Sequence, residues 1–136
     1  MALPRLPALG LTALALFALG LIALCVCSVA AQAHAVLLAS VPAVGGTVPE
    51  GPTAIRLRFN SLVDHARSRL TLVGPDRNET VLSIDPDAAD EVLASQANLV
   101  PGASILRWQV LAVDGHITRG EVAVTVLAAP PPPKGR

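Results

Sequence analysis

Three histidines, His34, His65 and His116, supply every imidazole in this 136-residue chain. Two of them stand where they could do chemistry. His116 ends the run Asp114-Gly115-His116. A carboxylate and an imidazole two residues apart face the same side of an extended segment, so both could meet one ion. The plainer alternative is an Asp-Gly hairpin turn with an exposed histidine beside it. His34 follows Ala31-Gln32-Ala33, a small-x-small sequence at the end of a long apolar run. Cleavage after Ala33 would make His34 the first residue, with a free α-amine beside its ring. That amine and the ring Nδ1 close one chelate ring on a metal. The amine has a reference pKa of about 8, so a metal displaces its proton with modest help. A second imidazole from another strand would complete a T-shaped set of three nitrogens. Such tetragonal nitrogen sites favour Cu(II) over Zn(II). The alternative for His34 is an ordinary surface histidine that happens to follow a cleavage site.

The cleavage itself is read from the first 33 residues. One positive charge lies within Met1–Arg5, and Leu6–Ala31 carries no charge and is rich in Leu and Ala. A basic start, an apolar run and a small-x-small end form the layout of a secretory signal peptide. A retained anchor is the competing reading, because the uncharged run is long enough to span a bilayer. A lipoprotein fits less well, since Leu24 and Val26, not small residues, precede Cys25 and Cys27. Removal of residues 1–33 takes away both cysteines and Met1, leaving no disulfide, no thiol chemistry and no soft sulfur ligand. It also takes away Arg5, leaving nine basic side chains against ten acidic ones.

Other function classes lack their residues. Equal numbers of basic and acidic groups, 10 of each in the whole chain, exclude the basic footprint of a general nucleic-acid binder. Phe17, Phe59 and Trp108 are the whole aromatic inventory, too few for a base- or sugar-stacking surface. No phosphate loop, no CxxC and no recognisable Ser-His-Asp context occurs.

The elements that must position the histidines read as all-β. Ile55–Phe59, Leu70–Val73, Leu106–Val110 and Val122–Val126 alternate in the period of half-buried strands, and Ala35–Ala39 and Thr80–Ile84 are shorter candidates. Turn signals at Pro42, Gly45-Gly46, Pro49–Pro52, Gly74–Asp76, Pro101-Gly102 and Asp114-Gly115 separate them. Short strands at this spacing suggest a sandwich or barrel. Asp87–Ala97 is the one stretch expected to hold a helical turn or two. Residues 129–136 read as a Pro-rich flexible tail. Trp108 is expected to anchor the core. His65, among Asp64, Arg67 and Arg69, is expected in a solvated loop. Arg56, Arg58, Arg67 and Arg69 are expected to form a solvated sheet face, with contact to an acidic partner or anionic lipid as the alternative.

The sequence resembles the CopC copper-resistance family. His34–Ala43 is similar to its opening H-A-x-L-x-x-S-x-P-A, and Trp108–His116 to its W-x-V-x-S-x-D-G-H segment. Gly45, Pro49–Pro52, the Ile55–Phe59 strand, Gly120 and Val122–Val126 fit the motifs between and after, with Val where Phe is usual. The resemblance runs over His34–Leu127. It implies a small Greek-key β-sandwich over residues 34–128, exported to the periplasm. It also implies one Cu(II) per monomer, held by His34, Asp114 and His116. The partner it implies is a CopD-like membrane importer. The family's F-S-E-x-V segment reads Phe59-Asn60-Ser61-Leu62-Val63 here, so an auxiliary carboxylate from that loop is missing. The Met-rich Cu(I) site of many members has no methionine to build it in residues 34–136, and Ala112 replaces a usual Ser. The expected function is a non-enzymatic copper chaperone or buffer. Two alternatives stand beside it: a copper-dependent oxidative enzyme using the same amine-imidazole brace, and a metal-free sandwich.

Overall fold

The computed structural model describes residues 34–130, so the expected leader, its cleavage after Ala33 and most of the Pro-rich tail lie outside the described residues. Eight strands run in chain order: β1 (Leu37–Val41), β2 (Thr47–Pro49), β3 (Gly51–Phe59), β4 (Arg69–Val73), β5 (Glu79–Leu82), β6 (Val92–Leu99), β7 (Gly102–Leu111) and β8 (Ile117–Leu127). They form two sheets, one of three strands ordered β1-β3-β6 and one of five ordered β2-β8-β7-β4-β5. All neighbours pair antiparallel except β2, which runs parallel to β8. The all-β sandwich expected from the alternating strands is the fold observed. Among the described residues no helix is long and apolar enough to cross a membrane.

The alternation decides which side of each strand meets the core. On β3, Ile55, Leu57 and Phe59 point inward and are buried, while Arg56 and Arg58 face water. Val122, Val124 and Val126 do the same on β8, and Leu106, Trp108 and Val110 on β7. The two inner faces close on one hydrophobic core, the arrangement that makes a sandwich stable. Trp108 is the expected anchor. Its indole meets the Phe59 ring edge-on at 5.1 Å. The ring lies over Gly120, its partner across the β7–β8 ladder.

Four expectations need correction. Asp87–Ala97 does not hold a helical turn, because Val92–Leu99 is β6, paired along its length with β3. Its Ala and Gln residues carry helix propensity, but tertiary burial overrides it. Val92 and Ala94 are buried although they lie on the same side of the sheet as Arg58 and Arg56, so the strand shows no clean period of two at that end. His65 lies in a connection as expected but is only partly solvated there: it is half-buried, and its Nε2 lies 2.9 Å from the Val92 carbonyl oxygen, tying the β3–β4 connection to the start of β6. The arginines do not share one face. Arg56 and Arg58 lie on the three-stranded sheet, Arg69 on the five-stranded one, and Arg67 pairs with Asp64 at 3.1 Å in the connection. Finally, Ala129 is not free tail, since its N–H donates to Glu50 Oε1 at 2.7 Å.

Gly120 is required by the close approach of the indole. A Cβ there would fall 2.3 Å from Trp108 Cζ2, far inside van der Waals contact. Gly120→Ala must push the largest core side chain off its seat, and overpacking of this kind costs about 1–3 kcal/mol. Urea unfolding should show a lower midpoint with an unchanged slope. An unchanged midpoint would show that the indole is not seated as described.

Candidate metal centre

His34 and His116 reach one end of the sandwich from different sheets. His34 precedes β1 of the three-stranded sheet. Asp114 and His116 lie in the turn between β7 and β8 of the five-stranded sheet. The turn is a tight one. Ala112 N–H donates to the His116 carbonyl at 2.9 Å, leaving a loop of Val113, Asp114 and Gly115. Gly115 has φ +89°, the left-handed position that closes three-residue hairpin loops and suits glycine. Its N–H donates back to the Ala112 carbonyl at 2.9 Å.

This local geometry brings Asp114 and His116 together by a different route from the extended segment expected. Asp114 Oδ1 accepts the His116 backbone N–H at 3.1 Å, an aspartate turn in which a side chain substitutes for a backbone acceptor. The same oxygen lies 3.3 Å from His116 Nδ1. Both side chains remain about half exposed. The His116 backbone N–H holds the Asp114 carboxyl below its ordinary value, the His116 ring adds to that, and partial desolvation opposes it. With Nδ1 facing the carboxylate, Nε2 is the ring nitrogen left for a metal. A carboxylate on the far nitrogen is also how metal-binding imidazoles are commonly oriented.

His34 is exposed, but it is not loose. Ala35 beside it is 1% exposed and belongs to the core cluster. Val36 N–H donates to Asn60 Oδ1 at 2.7 Å, and Asn60 N–H donates to the Val36 carbonyl at 3.0 Å. Held this way, the His34 ring stands 5.8 Å from the His116 ring, centroid to centroid, at 44°. With metal–nitrogen bonds of about 2 Å, two imidazoles on one ion have centroids at most about 6 Å apart. The pair is within that limit.

Among the described residues, no three His, Cys, Asp or Glu side chains come together closely enough to hold a metal ion as they stand. The third nitrogen expected is a main-chain amine, and in the full chain His34 follows Ala33 through a peptide bond. Asp114 Oδ1 is turned toward its own hairpin. His65, the third histidine, bonds the Val92 carbonyl instead. Sequence reasoning missed Asn60, whose type carries no metal chemistry. Its one signal is its place in the Phe59–Val63 segment, next to Ser61, where the family's carboxylate is missing.

Known proteins resemble this chain over about seven-tenths of its length. Protein YobA of Escherichia coli K12 is 31% identical over 99 residues, covering 69% of this chain and 79% of that protein. The crystal structure of CopC from Methylosinus trichosporium OB3b superposes with a TM-score of 0.66 at 25% identity, covering 72% of this chain and 98% of that one. That of PcoC, a methionine-rich copper resistance protein from Escherichia coli, has a TM-score of 0.56 at 24% identity, covering 70% and 100%. The sandwich described above is therefore also the fold of copper-resistance proteins. The family model for the CopC domain matches residues 37–127, nearly the whole of the described sandwich, and the chain belongs to the CopC family.

Proposed function

We infer that the exported protein begins at His34 and binds one Cu(II) per monomer in the periplasm. The single observation that carries this reading is the approach of His34 and His116 to 5.8 Å from opposite sheets, with Asp114 beside the second ring. The His34 amine and Nδ1 form a chelate, and the His116 ring closes the nitrogen set. Asp114 adds a carboxylate or orients His116. Nitrogen-rich donors without sulfur suit Cu(II), whereas Cu(I) prefers thiolate and thioether. Membership of the CopC family supports copper as the cargo. The protein acts as a buffer or chaperone without catalysis, and hands its ion to a membrane importer of the CopD type. An oxidative enzyme built on the same brace is disfavoured, because a carboxylate beside the metal competes for the position oxygen would need. Oxygen uptake with ascorbate above the free-copper rate would reverse that judgement.

The N-terminal residue of the exported protein should be His34. Recovery of the chain with residues 1–33 still attached would remove the chelating amine and sink the reading. The mature protein should take up one equivalent of Cu(II) and hold Cu(I) poorly. A Cu(I) affinity equal to or above that for Cu(II) would contradict the donor set.

Ligand variants separate the groups. A Met retained before His34, His34→Ala and His116→Ala should each weaken Cu(II). Loss of groups outside the direct ligands commonly costs about 10–100-fold, so loss of a direct ligand should cost at least that. Asp114→Ala should weaken Cu(II) less. His65→Ala should lower stability through its lost bond to Val92 while leaving the Cu(II) EPR spectrum unchanged. A nitrogen hyperfine pattern that changed with His65→Ala and not with His116→Ala would show that the ligands are assigned to the wrong histidine.

A further inference from the structure

We propose that Asn60 is the positioning residue that sets His34 against His116, an inference that rests on the copper reading above. His34 lies before the first strand, so no sheet ladder holds it. Its restraints are the burial of Ala35 and the paired hydrogen bonds between Val36 and Asn60, at 2.7 and 3.0 Å. The antiparallel register of β1 with β3 reaches Leu37 opposite Phe59 and is interrupted between Leu37 and Ala39. Asn60 therefore continues the pairing one residue past the ladder, with its side-chain carbonyl as the acceptor that a strand would have supplied from its backbone.

The same short segment holds the other half of the site. Leu62 accepts from Val113 N–H at 3.2 Å, Val63 bridges to Ala112, and Asp64 N–H donates to the Leu111 carbonyl at 2.8 Å. Residues 60 and 62 thus grip the His34 segment and the Asp114–His116 hairpin respectively. Two residues of extended chain span about 7 Å, comparable with the 5.8 Å between the two rings. The segment works as a gauge of the ring separation, and Asn60 is its only side-chain attachment to the His34 end among the described residues. Val36 is 44% exposed, so loss of this bond exposes its N–H to water rather than burying it unpaired. The effect should be local.

The test uses the mature protein starting at His34, both metal-free and with Cu(II). Asn60→Ala removes the acceptor, and Asn60→Asp restores an oxygen in the same place. In the metal-free protein, Asn60→Ala should lose the NMR proximity signal between the His34 and His116 rings and speed hydrogen exchange at Val36. Trp108 resonances should stay in place. With Cu(II), Asn60→Ala should bind about 10-fold more weakly and give a broadened EPR spectrum. Asn60→Asp should recover the ring proximity and the sharp spectrum. Should Asn60→Ala fail to fold, Asn60→Ser, whose hydroxyl is too short to reach Val36, tests the same loss. Unchanged ring proximity and an unchanged EPR spectrum in the variant lacking the acceptor would overturn the proposal, as would failure of Asn60→Asp to recover them. If the unaltered protein binds no Cu(II), the copper reading fails, and the metal-free signals alone still decide whether Asn60 sets the ring separation.

Discussion

The connection from Asn60 to Ser68 is the constraint on which the end of this sandwich depends. A sandwich core is non-directional: inward-facing Leu57, Phe59, Leu70 and Val110 hold the two sheets together without fixing how their edges align. Hydrogen bonds supply the alignment. Leaving β3 and before entering β4, the chain bonds Val36, Asp90, Leu111 and Val113 through its backbone, and the Val92 carbonyl through His65. Val92 belongs to the three-stranded sheet and Leu111 to the five-stranded one, while Val36, Asp90 and Val113 lie in the connections beside their strands. Where a backbone polar group is buried, as at Val63, leaving the bond open is costly, and that cost specifies the partner. The position of His34 relative to His116 follows from this crossing and not from either sheet alone.

Much of this was legible in the sequence, and the rest was hidden for identifiable reasons. Strands with one wet face, such as Ile55–Phe59 and Val122–Val126, announce themselves because charged or small residues alternate with large apolar ones. β6 does not, because Val92 and Ala94 are covered on the side where Arg58 and Arg56 face water, and its Ala-rich composition imitates a helix. The types and spacing of His34, Asp114 and His116 marked them as candidates for chemistry. Their meeting was implied only by the family resemblance and not by residue type or spacing, because it depends on the Asx-type bond of Asp114 and on a loop between other strands. Asn60 and His65 show the same limit from the other side. Both roles are hydrogen bonds to distant main chain, and neither residue type nor local period encodes such a partner.

The hairpin shows how a turn and a candidate metal-binding motif can be one object. An Asp-Gly turn needs a left-handed glycine and a polar residue able to accept a nearby N–H. Asp114 and Gly115 meet both needs, whether or not an ion binds. The turn reading and the metal reading are therefore not rivals. The fold uses Asp114 Oδ1 to hold the His116 backbone and ring, so the carboxylate contributes to ring orientation before it contributes anything to an ion. The relatively mild loss expected for Asp114 compared with either histidine follows from that division.

On the copper reading, a metal ligand at the first residue of the mature chain would also couple export to chemistry. Before cleavage the His34 nitrogen is a peptide nitrogen, a poor donor unless deprotonated. Cleavage after Ala33 would make it an amine that gives up its proton readily to a metal. The imidazole positions need not change between the two forms, since Ala35 burial and the Val36–Asn60 bonds lie downstream of the cut. On the copper reading, the precursor holds two rings already spaced for an ion but lacks the donor that chelates it. Removal of the leader would then complete the donor set without refolding the sandwich. The absence of sulfur from residues 34–136 reinforces the point. No thioether or thiolate is present to substitute for the missing amine, so the capacity for Cu(II) should arise with the new terminus.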